Sequence, residues 1–237
     1  MKILTVGDLH GKKVWEKIVT YKYDKIIFIG DYLDDFEWRT KPGDVRKNFQ
    51  DLVYWAKNQK ENKILFLLGN HEVHYVLYGT EYFERMRGSG YNYSSLFFAC
   101  NLINDNPELF SVAYQYDNWL WTHAGVTQTH YEEDLKEDFE SGDSFYDSVA
   151  DFLNYLWKIK DGRLMRIGRD RLGYAKQGSI FWCGKKELEN DMLNGYFQIV
   201  GHTPIKDIEY LKGVSIDTSV TFIDCLDKVE KFYELEL

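Results

Sequence analysis

Five short segments of the chain place carboxylate, amide or imidazole side chains next to glycine, and each segment directly follows an apolar run. Carboxylate oxygen and imidazole nitrogen together form a ligand set for divalent transition metals. Thiolates are absent from these segments, which argues against a structural zinc site. The segments are Gly7-Asp8-Leu9-His10-Gly11, Gly30-Asp31-Tyr32-Leu33-Asp34, Gly69-Asn70-His71-Glu72, His123-Ala124-Gly125 and Gly201-His202-Thr203.

Each segment alone has an ordinary structural explanation. An Asp that follows a strand often caps the next helix, and a single His beside an apolar run is usually a hydrogen-bonded structural residue. The recurrence at five strand ends is different, because burying so many charged groups without a cation would be costly. The five segments together therefore predict a metal site.

The apolar runs indicate the elements that must position these side chains. KILTV (2–6), KIIFI (25–29) and KILFLL (63–68) are continuous runs of buried-strand type, and an amphipathic helix marked by Val45, Phe49 and Leu52 separates the second run from the third. A further helix is expected from about Lys12. Such alternation predicts parallel strands, whose carboxyl ends share one edge of a sheet, where ligands bind.

The remainder of the chain predicts a second set of strands. FSVAYQY and NWLWT flank Asp117-Asn118 and indicate a hairpin, and YFQIV, GVSI, VTFID and VEKFYEL indicate strands near the C-terminus. Two packed sheets with helices outside are the expected layers of an α/β fold. No linker or repeat interrupts residues 1–237, so a single domain is expected.

The net charge, the lengths of the apolar runs and the cysteine spacing bear on the expected partners and location. The 237 residues carry 29 Lys and Arg against 38 Asp and Glu, a net charge of −9, which disfavours binding to nucleic acid. No apolar run reaches the roughly 20 residues of a membrane span, so no membrane partner is expected. Cys100, Cys183 and Cys225 are widely spaced and odd in number, which favours reduced thiols and a cytoplasmic location.

From residue 7 to about 204, the motifs and their order resemble the calcineurin-like metallophosphoesterase superfamily. The motifs GDLHG, GDY and GNHE are most similar to those of the protein serine/threonine phosphatases and the symmetrical dinucleoside tetraphosphate hydrolases. The resemblance implies a four-layer α/β/β/α sandwich of two mixed sheets, and a hydrolase with a binuclear metal centre.

The resemblance also implies roles for individual residues. Asp8 and His10 would bind one divalent ion, Asp31 would bridge two ions, and His71 would be the general acid, oriented by Asp34. Asn70, His123 and His202 would complete the second ion site. Manganese (Mn²⁺) is the first choice, and iron and zinc suit the same ligands. A hydroxide that bridges the two ions would attack phosphorus.

The sequence departs from the phosphatase pattern where the phosphate should be held. Asp35 stands where the resemblance places an arginine, so another group must hold the phosphate. A basic segment, residues 158–176, offers Arg163 or Arg166 for substrate binding, because guanidinium binds phosphate bidentately. The same segment could instead be a solvated surface.

The expected substrates are phosphomonoesters, either phosphoproteins or small molecules. The alternatives are hydrolysis of a nucleotide phosphodiester or a dinucleoside polyphosphate, or a binding module that has lost catalysis. The complete set of predicted ligands argues against the inactive module, because a decayed enzyme would be expected to lose some of them.

Overall fold

The computed structural model describes residues 1–35, 40–60, 63–86, 90–141 and 146–237. The strands in these ranges are β1 (Lys2–Val6), β2 (Lys25–Phe28), β3 (Ile64–Leu67), β4 (Phe110–Ser111), β5 (Ala113–Tyr116), β6 (Trp119–Thr122), β7 (Phe197–Val200), β8 (Glu209–Lys212), β9 (Ser219–Phe222) and β10 (Tyr233–Glu236).

The α-helices in the described ranges are short apart from the first. They are α1 (Pro42–Lys57), α2 (Asn70–Val76), α3 (Phe83–Met86), α4 (Leu96–Asn104), α5 (Gln128–His130), α6 (Lys136–Glu140), α7 (Val149–Lys158) and α8 (Lys185–Asn190). A π-helical turn, Tyr131–Leu135, joins α5 to α6.

The chain divides into two compact units. The first unit, residues 1–111 with 225–237, contains a five-stranded sheet in the order β10-β1-β2-β3-β4. Strands β1 to β4 are parallel, and β10 pairs antiparallel with β1 at the edge. Ile3, Ile27 and Phe66 on the central strands are fully buried, as expected for apolar runs in a parallel sheet covered on both faces.

The second unit, residues 112–224, contains another five-stranded sheet in the order β5-β6-β7-β9-β8. Strands β6, β7 and β9 are parallel, while β5 and β8 pair antiparallel at the two edges. The predicted hairpin is present as β5 and β6, with Asp117 in the left-handed turn (φ 50°). Two mixed sheets with helices confirm the predicted α/β class, whereas the single-domain interpretation stays a prediction.

Two predicted elements differ in the structure. The region after Lys12 forms two short 3-10 turns, Val14–Lys17 and Thr20–Lys22, instead of one α-helix. The consecutive β-branched residues Ile18-Val19-Thr20 disfavour helix there, and Ile18 is extended. The predicted GVSI strand is also wrong, because Val214 and Ile216 are almost fully exposed and β8 precedes them.

Candidate metal centre

Residues that follow β1 and β2 form two loops that are hydrogen-bonded to each other. The Asp31 carbonyl accepts from the backbone N–H of Leu9 (3.0 Å) and of His10 (2.7 Å), and Gly11 N–H donates to the Tyr32 carbonyl (3.1 Å). These bonds bring Asp8, His10 and Asp31 to the carboxyl ends of neighbouring parallel strands. All three residues are buried.

The backbone at these positions is unusual. Seven non-glycine residues among the described ones have left-handed backbone, and four of the seven are predicted site residues. Such conformations cost on the order of 1 kcal/mol and cluster at functional sites, where they aim side chains. The four are His10 (φ 43°), Asp31 (φ 53°), Asp34 (φ 58°) and His202 (φ 64°).

One ring nitrogen of His10 contacts the neighbouring loop. Its Nδ1 lies 3.2 Å from the Leu33 carbonyl and 3.1 Å from the Asp34 carbonyl. A carbonyl can only accept, so Nδ1 carries the proton and Nε2 carries a lone pair. Burial lowers the pKa of His10 to about 4, against the opposing effect of Asp31, so the ring is neutral near pH 7.

The Nε2 lone pair of His10 faces another acceptor. It lies 3.7 Å from Oδ2 of Asp31. A cation bound close to both atoms would offset the repulsion between these two buried acceptors. Donor atoms of His10, Asp31 and His71 all lie within 4.8 Å of one another, and the first two of these residues are predicted ligands. The residues present therefore fit a divalent metal ion.

Strand β3 and helix α2 contribute the next predicted residues. Asn70 is the first residue of α2 and is buried, and His71 follows it. The His71 N–H donates to Oδ1 of Asp31 (3.1 Å), which ties the start of α2 to the loop after β2. Predicted ligands from three strand ends are thus fixed to one another within the first unit.

Glu72 is not among the predicted ligands, and its carboxylate binds backbone N–H groups. It accepts from the backbone N–H of Asp31 (2.8 Å), Tyr32 (2.8 Å), Leu33 (3.1 Å) and Gly69 (3.1 Å). Burial and the nearby Asp31 carboxylate raise the pKa of Glu72. The backbone N–H groups oppose this shift, but the net direction is upward. This side chain clamps the loop that carries Asp31 onto the first turn of α2.

Asp34 contacts the predicted general acid. Its Oδ2 lies 3.3 Å from Nδ1 of His71 and 3.0 Å from Nε2 of His74, and its Oδ1 accepts from the Tyr75 hydroxyl. Burial raises the pKa of Asp34, but the histidine hydrogen bonds outweigh it and the net shift is downward. Asp34 is therefore an ionised acceptor for all three groups.

His71 has the electrostatic surroundings of a proton donor. Burial alone would lower its pKa, but the nearby Asp31 and Asp34 carboxylates reverse the shift and raise the pKa to about 9. A histidine that holds its proton near pH 7 can deliver it to a leaving group.

The second unit brings together the other two predicted histidines. His123 follows β6 and His202 follows β7, and Nε2 of His123 lies 3.2 Å from Nδ1 of His202. The Gly201 N–H donates to the His123 carbonyl (2.8 Å), and the Trp182 ring packs edge-on against His202. Two adjacent imidazoles are a suitable partial ligand set for a transition metal.

The two arginines predicted to bind substrate form ion pairs with aspartates. Arg163 pairs with Asp161 (2.9 Å) and Asp138 (2.5 Å), and Arg166 pairs with Asp134 (2.5 Å). Asp35, which stands in place of the expected arginine, accepts from the Thr40 N–H (2.8 Å).

Arg171 of the same segment has a different position. It is half-buried, and its Nη2 donates to the Thr203 hydroxyl and lies 3.5 Å from the His202 carbonyl. Burial lowers the pKa of its guanidinium. Among the arginines of residues 158–176, Arg171 is the one placed beside a predicted metal ligand in the contacts described above.

Sequence reasoning missed four residues of this arrangement: Glu72 as a clamp, His74 and Tyr75 on Asp34, and Arg171 beside His202. His74 and Tyr75 carried a usable signal, because they lie three and four residues after His71 and so share its face of α2. Arg171 carried none, since several arginines of the segment were equivalent in sequence.

Comparison with known proteins identifies the class of the chain. The family model described as calcineurin-like phosphoesterase matches residues 1–206. The chain therefore belongs to the calcineurin-like phosphoesterase family, and it is a metal-dependent hydrolase of phosphate esters that uses divalent ions. No curated relative is similar enough in sequence to count as a match.

Three solved phosphatase structures are similar to this chain, and the first of them shows the same fold. A variant of a cold-active protein tyrosine phosphatase has a TM-score of 0.56 at 17% identity, with 99% of this chain and 75% of that chain covered. The cold-active protein-tyrosine phosphatase of a psychrophilic Shewanella species has a TM-score of 0.48 at 18% identity, with 99% and 75% covered. A protein serine/threonine phosphatase from Saccharomyces cerevisiae has a TM-score of 0.45 at 15% identity, with 94% and 66% covered.

The described residues contain no helix that combines the length and the apolar character needed to cross a bilayer.

Proposed function

We propose that this chain is a phosphomonoesterase with a binuclear metal centre, loaded with manganese. The observation that carries the proposal is the facing pair of acceptors, Nε2 of His10 and Oδ2 of Asp31, buried at the ends of β1 and β2. Family membership supplies the reaction class, hydrolysis of a phosphate ester.

The proposed ligands fall into one set in each unit. The first unit offers Asp8, His10, Asp31 and Asn70, and the second offers His123 and His202. This mixture of oxygen and nitrogen donors suits manganese, iron and zinc, and manganese remains our first choice. Bound divalent ions supply Lewis-acid stabilisation of phosphoryl oxygens and an activated water nucleophile.

His71 is the proposed proton donor to the leaving group, and Asp34 orients it. Asp34 accepts a hydrogen bond from Nδ1 of His71, so Nε2 of His71 is the atom that would donate to the leaving group. The raised pKa of His71, about 9, supports a protonated ring at neutral pH. Such a donor matters most for a poor leaving group such as an alkoxide, which must be protonated as it departs.

Arg171 is our leading candidate for holding the substrate phosphate. Its guanidinium donates to the Thr203 hydroxyl and lies near the His202 carbonyl. A guanidinium has more N–H donors than these two contacts use. Arg163 and Arg166 remain alternatives, but each would have to leave an ion pair with Asp161, Asp138 or Asp134 to bind a phosphate.

The substrate class is tested by hydrolysis assays with manganese present. We expect turnover of p-nitrophenyl phosphate and of alkyl phosphomonoesters, including phosphoserine peptides if the natural substrate is a protein. Higher turnover of a phosphodiester or a dinucleoside polyphosphate would replace the phosphomonoester assignment with the nucleotide hydrolase. Absence of turnover on every ester in metal-loaded protein would support the inactive binding module. A cytoplasmic location stays a prediction from cysteine usage.

His71→Ala tests the proton donor separately. Because no predicted metal ligand is removed, we expect bound metal to be retained. Turnover of an alkyl phosphate should fall far more than turnover of p-nitrophenyl phosphate, whose leaving group needs little protonation. Unchanged turnover of the alkyl phosphate would remove His71 from the mechanism.

A further inference from the structure

The Asp34 carboxylate is shared by three donors, all of them on α2. We propose that His74 and Tyr75 are positioning residues, which hold Asp34 in the orientation that keeps His71 ready to protonate the leaving group. This inference rests on the proposed role of His71 and extends it to two side chains outside the recognised motifs.

The three donors are distributed over the two oxygens of the Asp34 carboxylate. The Tyr75 hydroxyl donates to Oδ1 at 2.5 Å, and Nε2 of His74 donates to Oδ2 at 3.0 Å. His71 reaches the same Oδ2 at 3.3 Å, the longest of the three contacts. His71 therefore depends on an acceptor whose position the other two donors fix.

Burial makes these contacts necessary. The Asp34 side chain is 2% exposed and the His74 side chain 0% exposed, so water cannot replace either partner. A buried carboxylate that loses a donor is left partly unpaired, and it relieves this cost by rotating toward another donor. Rotation of Asp34 would change the orientation of the His71 ring.

The protonation state of His74 follows from the same geometry. An ionised Asp34 can only accept, so Nε2 of His74 carries the proton. Burial lowers the pKa of His74 against the opposing effect of Asp34, which keeps the ring neutral. His74 thus acts as a neutral donor to Asp34.

Tyr91 and Asn92 contact the two positioning residues. The Asn92 N–H donates to the Tyr75 hydroxyl (3.0 Å), and the Tyr91 ring stacks on Tyr75 with centroids 5.2 Å apart. The Tyr91 ring also meets His74 edge-on at 5.2 Å. Because the Tyr75 hydroxyl accepts from Asn92, its own proton is directed to Asp34.

The experiment compares His74→Leu, His74→Gln and Tyr75→Phe in the full chain loaded with manganese. Leu removes the donor, whereas Gln can place an amide N–H near the position of Nε2. Phe removes only the Tyr75 hydroxyl. Tyr78→Phe is the matched control, because Tyr78 is exposed just after α2 and packs on Phe83 and Phe97.

The decisive readout is kcat on two substrates, glycerol 2-phosphate and p-nitrophenyl phosphate, with KM, bound manganese and the melting temperature measured in parallel. For His74→Leu and Tyr75→Phe we expect kcat on glycerol 2-phosphate to fall about tenfold or more, as for a misplaced general acid. On p-nitrophenyl phosphate we expect a change below about twofold, with KM and bound manganese unchanged. His74→Gln should recover most of the loss, and Tyr78→Phe should match the unaltered protein.

Other results would overturn the inference. Equal losses on both substrates, or no loss on either, would mean that the two residues act on stability or not at all. Tyr75→Phe deletes a single oxygen atom, so it gives a result even if His74→Leu does not fold. His71→Ala separates the two proposals: if it lowers kcat selectively on glycerol 2-phosphate while the other variants do not, only the positioning role is wrong. If His71→Ala shows no selectivity, both proposals fail.

Discussion

Glu72 accepts hydrogen bonds from four backbone N–H groups, and three of these belong to Asp31, Tyr32 and Leu33. The loop after β2 needs such a clamp because Asp31 has left-handed backbone and follows Gly30, whose φ of 120° few other residues adopt. The side chain therefore holds a strained segment that presents a proposed metal ligand.

Glu72→Gln tests this clamp. The amide NH₂ would face backbone N–H groups in place of an accepting oxygen, which leaves buried donors unpaired at a cost of about 1–3 kcal/mol. We expect the free energy of unfolding to fall by that order and manganese to bind more weakly. Denaturant titration and calorimetric metal titration measure the two effects. Glu16→Gln, on the surface beside Lys13, is the control and should change neither.

Arg171→Gln tests the phosphate contact. Loss of a charge-assisted bond of about 1.5–3 kcal/mol predicts a KM for p-nitrophenyl phosphate that is higher by roughly tenfold to a hundredfold. Steady-state kinetics with Arg163→Gln and Arg166→Gln alongside decide which arginine holds the phosphate. A raised KM in either of those variants, with Arg171→Gln unaffected, would assign the role to the ion-paired arginines.

The proposed ligands could be selected from the sequence because each lies within two residues of a glycine that follows an apolar run, and their role stays a prediction. The spacing of His74 from His71 places both residues on one face of α2, but it does not show that His74 contacts Asp34. His74 lies inside α2, and a buried histidine is usually structural. Its partner depends on the left-handed backbone of Asp34, which the sequence alone does not reveal.

At the scale of elements, strands buried on both faces were predictable, whereas the exposed edge strand β8 was not. The runs that became β1, β2 and β3 are continuously apolar, and their bounds differ from the prediction by at most one residue at either end. Strand β8 alternates half-buried and exposed residues at a sheet edge, so the neighbouring apolar GVSI segment gave the stronger but misleading signal.

The short 3-10 segment Gly162–Met165 begins at a carboxylate that is fixed at both oxygens. Asp161 accepts from Nε (3.0 Å) and Nη2 (2.9 Å) of Arg163, and also from the Arg163 N–H (2.8 Å). Chiefly through the hydrogen bonds from Arg163, the pKa of Asp161 is lowered. A carboxyl with a lower pKa in the folded than in the unfolded state adds stability above its ordinary pKa, and this is lost as pH falls through the lowered value.

Asp161→Asn tests this linkage. At pH 7 the variant should be less stable than the unaltered chain by about 1 kcal/mol or less, because the pair is partly exposed. As the pH falls below about 4 the two stability curves should converge, since the unaltered chain loses its charge there. Urea titrations between pH 7 and pH 2.5 measure both curves. Parallel curves at all values of pH would contradict the assignment.

For the whole molecule, the net charge of −9 adds to the electrostatic repulsion at the buried acceptors. An acidic chain gains from divalent cations at the site and repels polyanions elsewhere. Weak nucleic-acid binding stays a prediction from this charge balance. A ligand that binds only the folded state stabilises it, so added manganese should raise the melting temperature.

The most direct test of the account is metal content measured together with activity. Purified chain is stripped with a chelator, analysed for bound elements, and then titrated with manganese while hydrolysis of p-nitrophenyl phosphate is followed. We predict no turnover in metal-free protein, and recovery that saturates at two bound ions per chain. Asp31→Asn should lower the number of ions bound. Full turnover by protein that elemental analysis shows to be free of divalent metal would contradict the account.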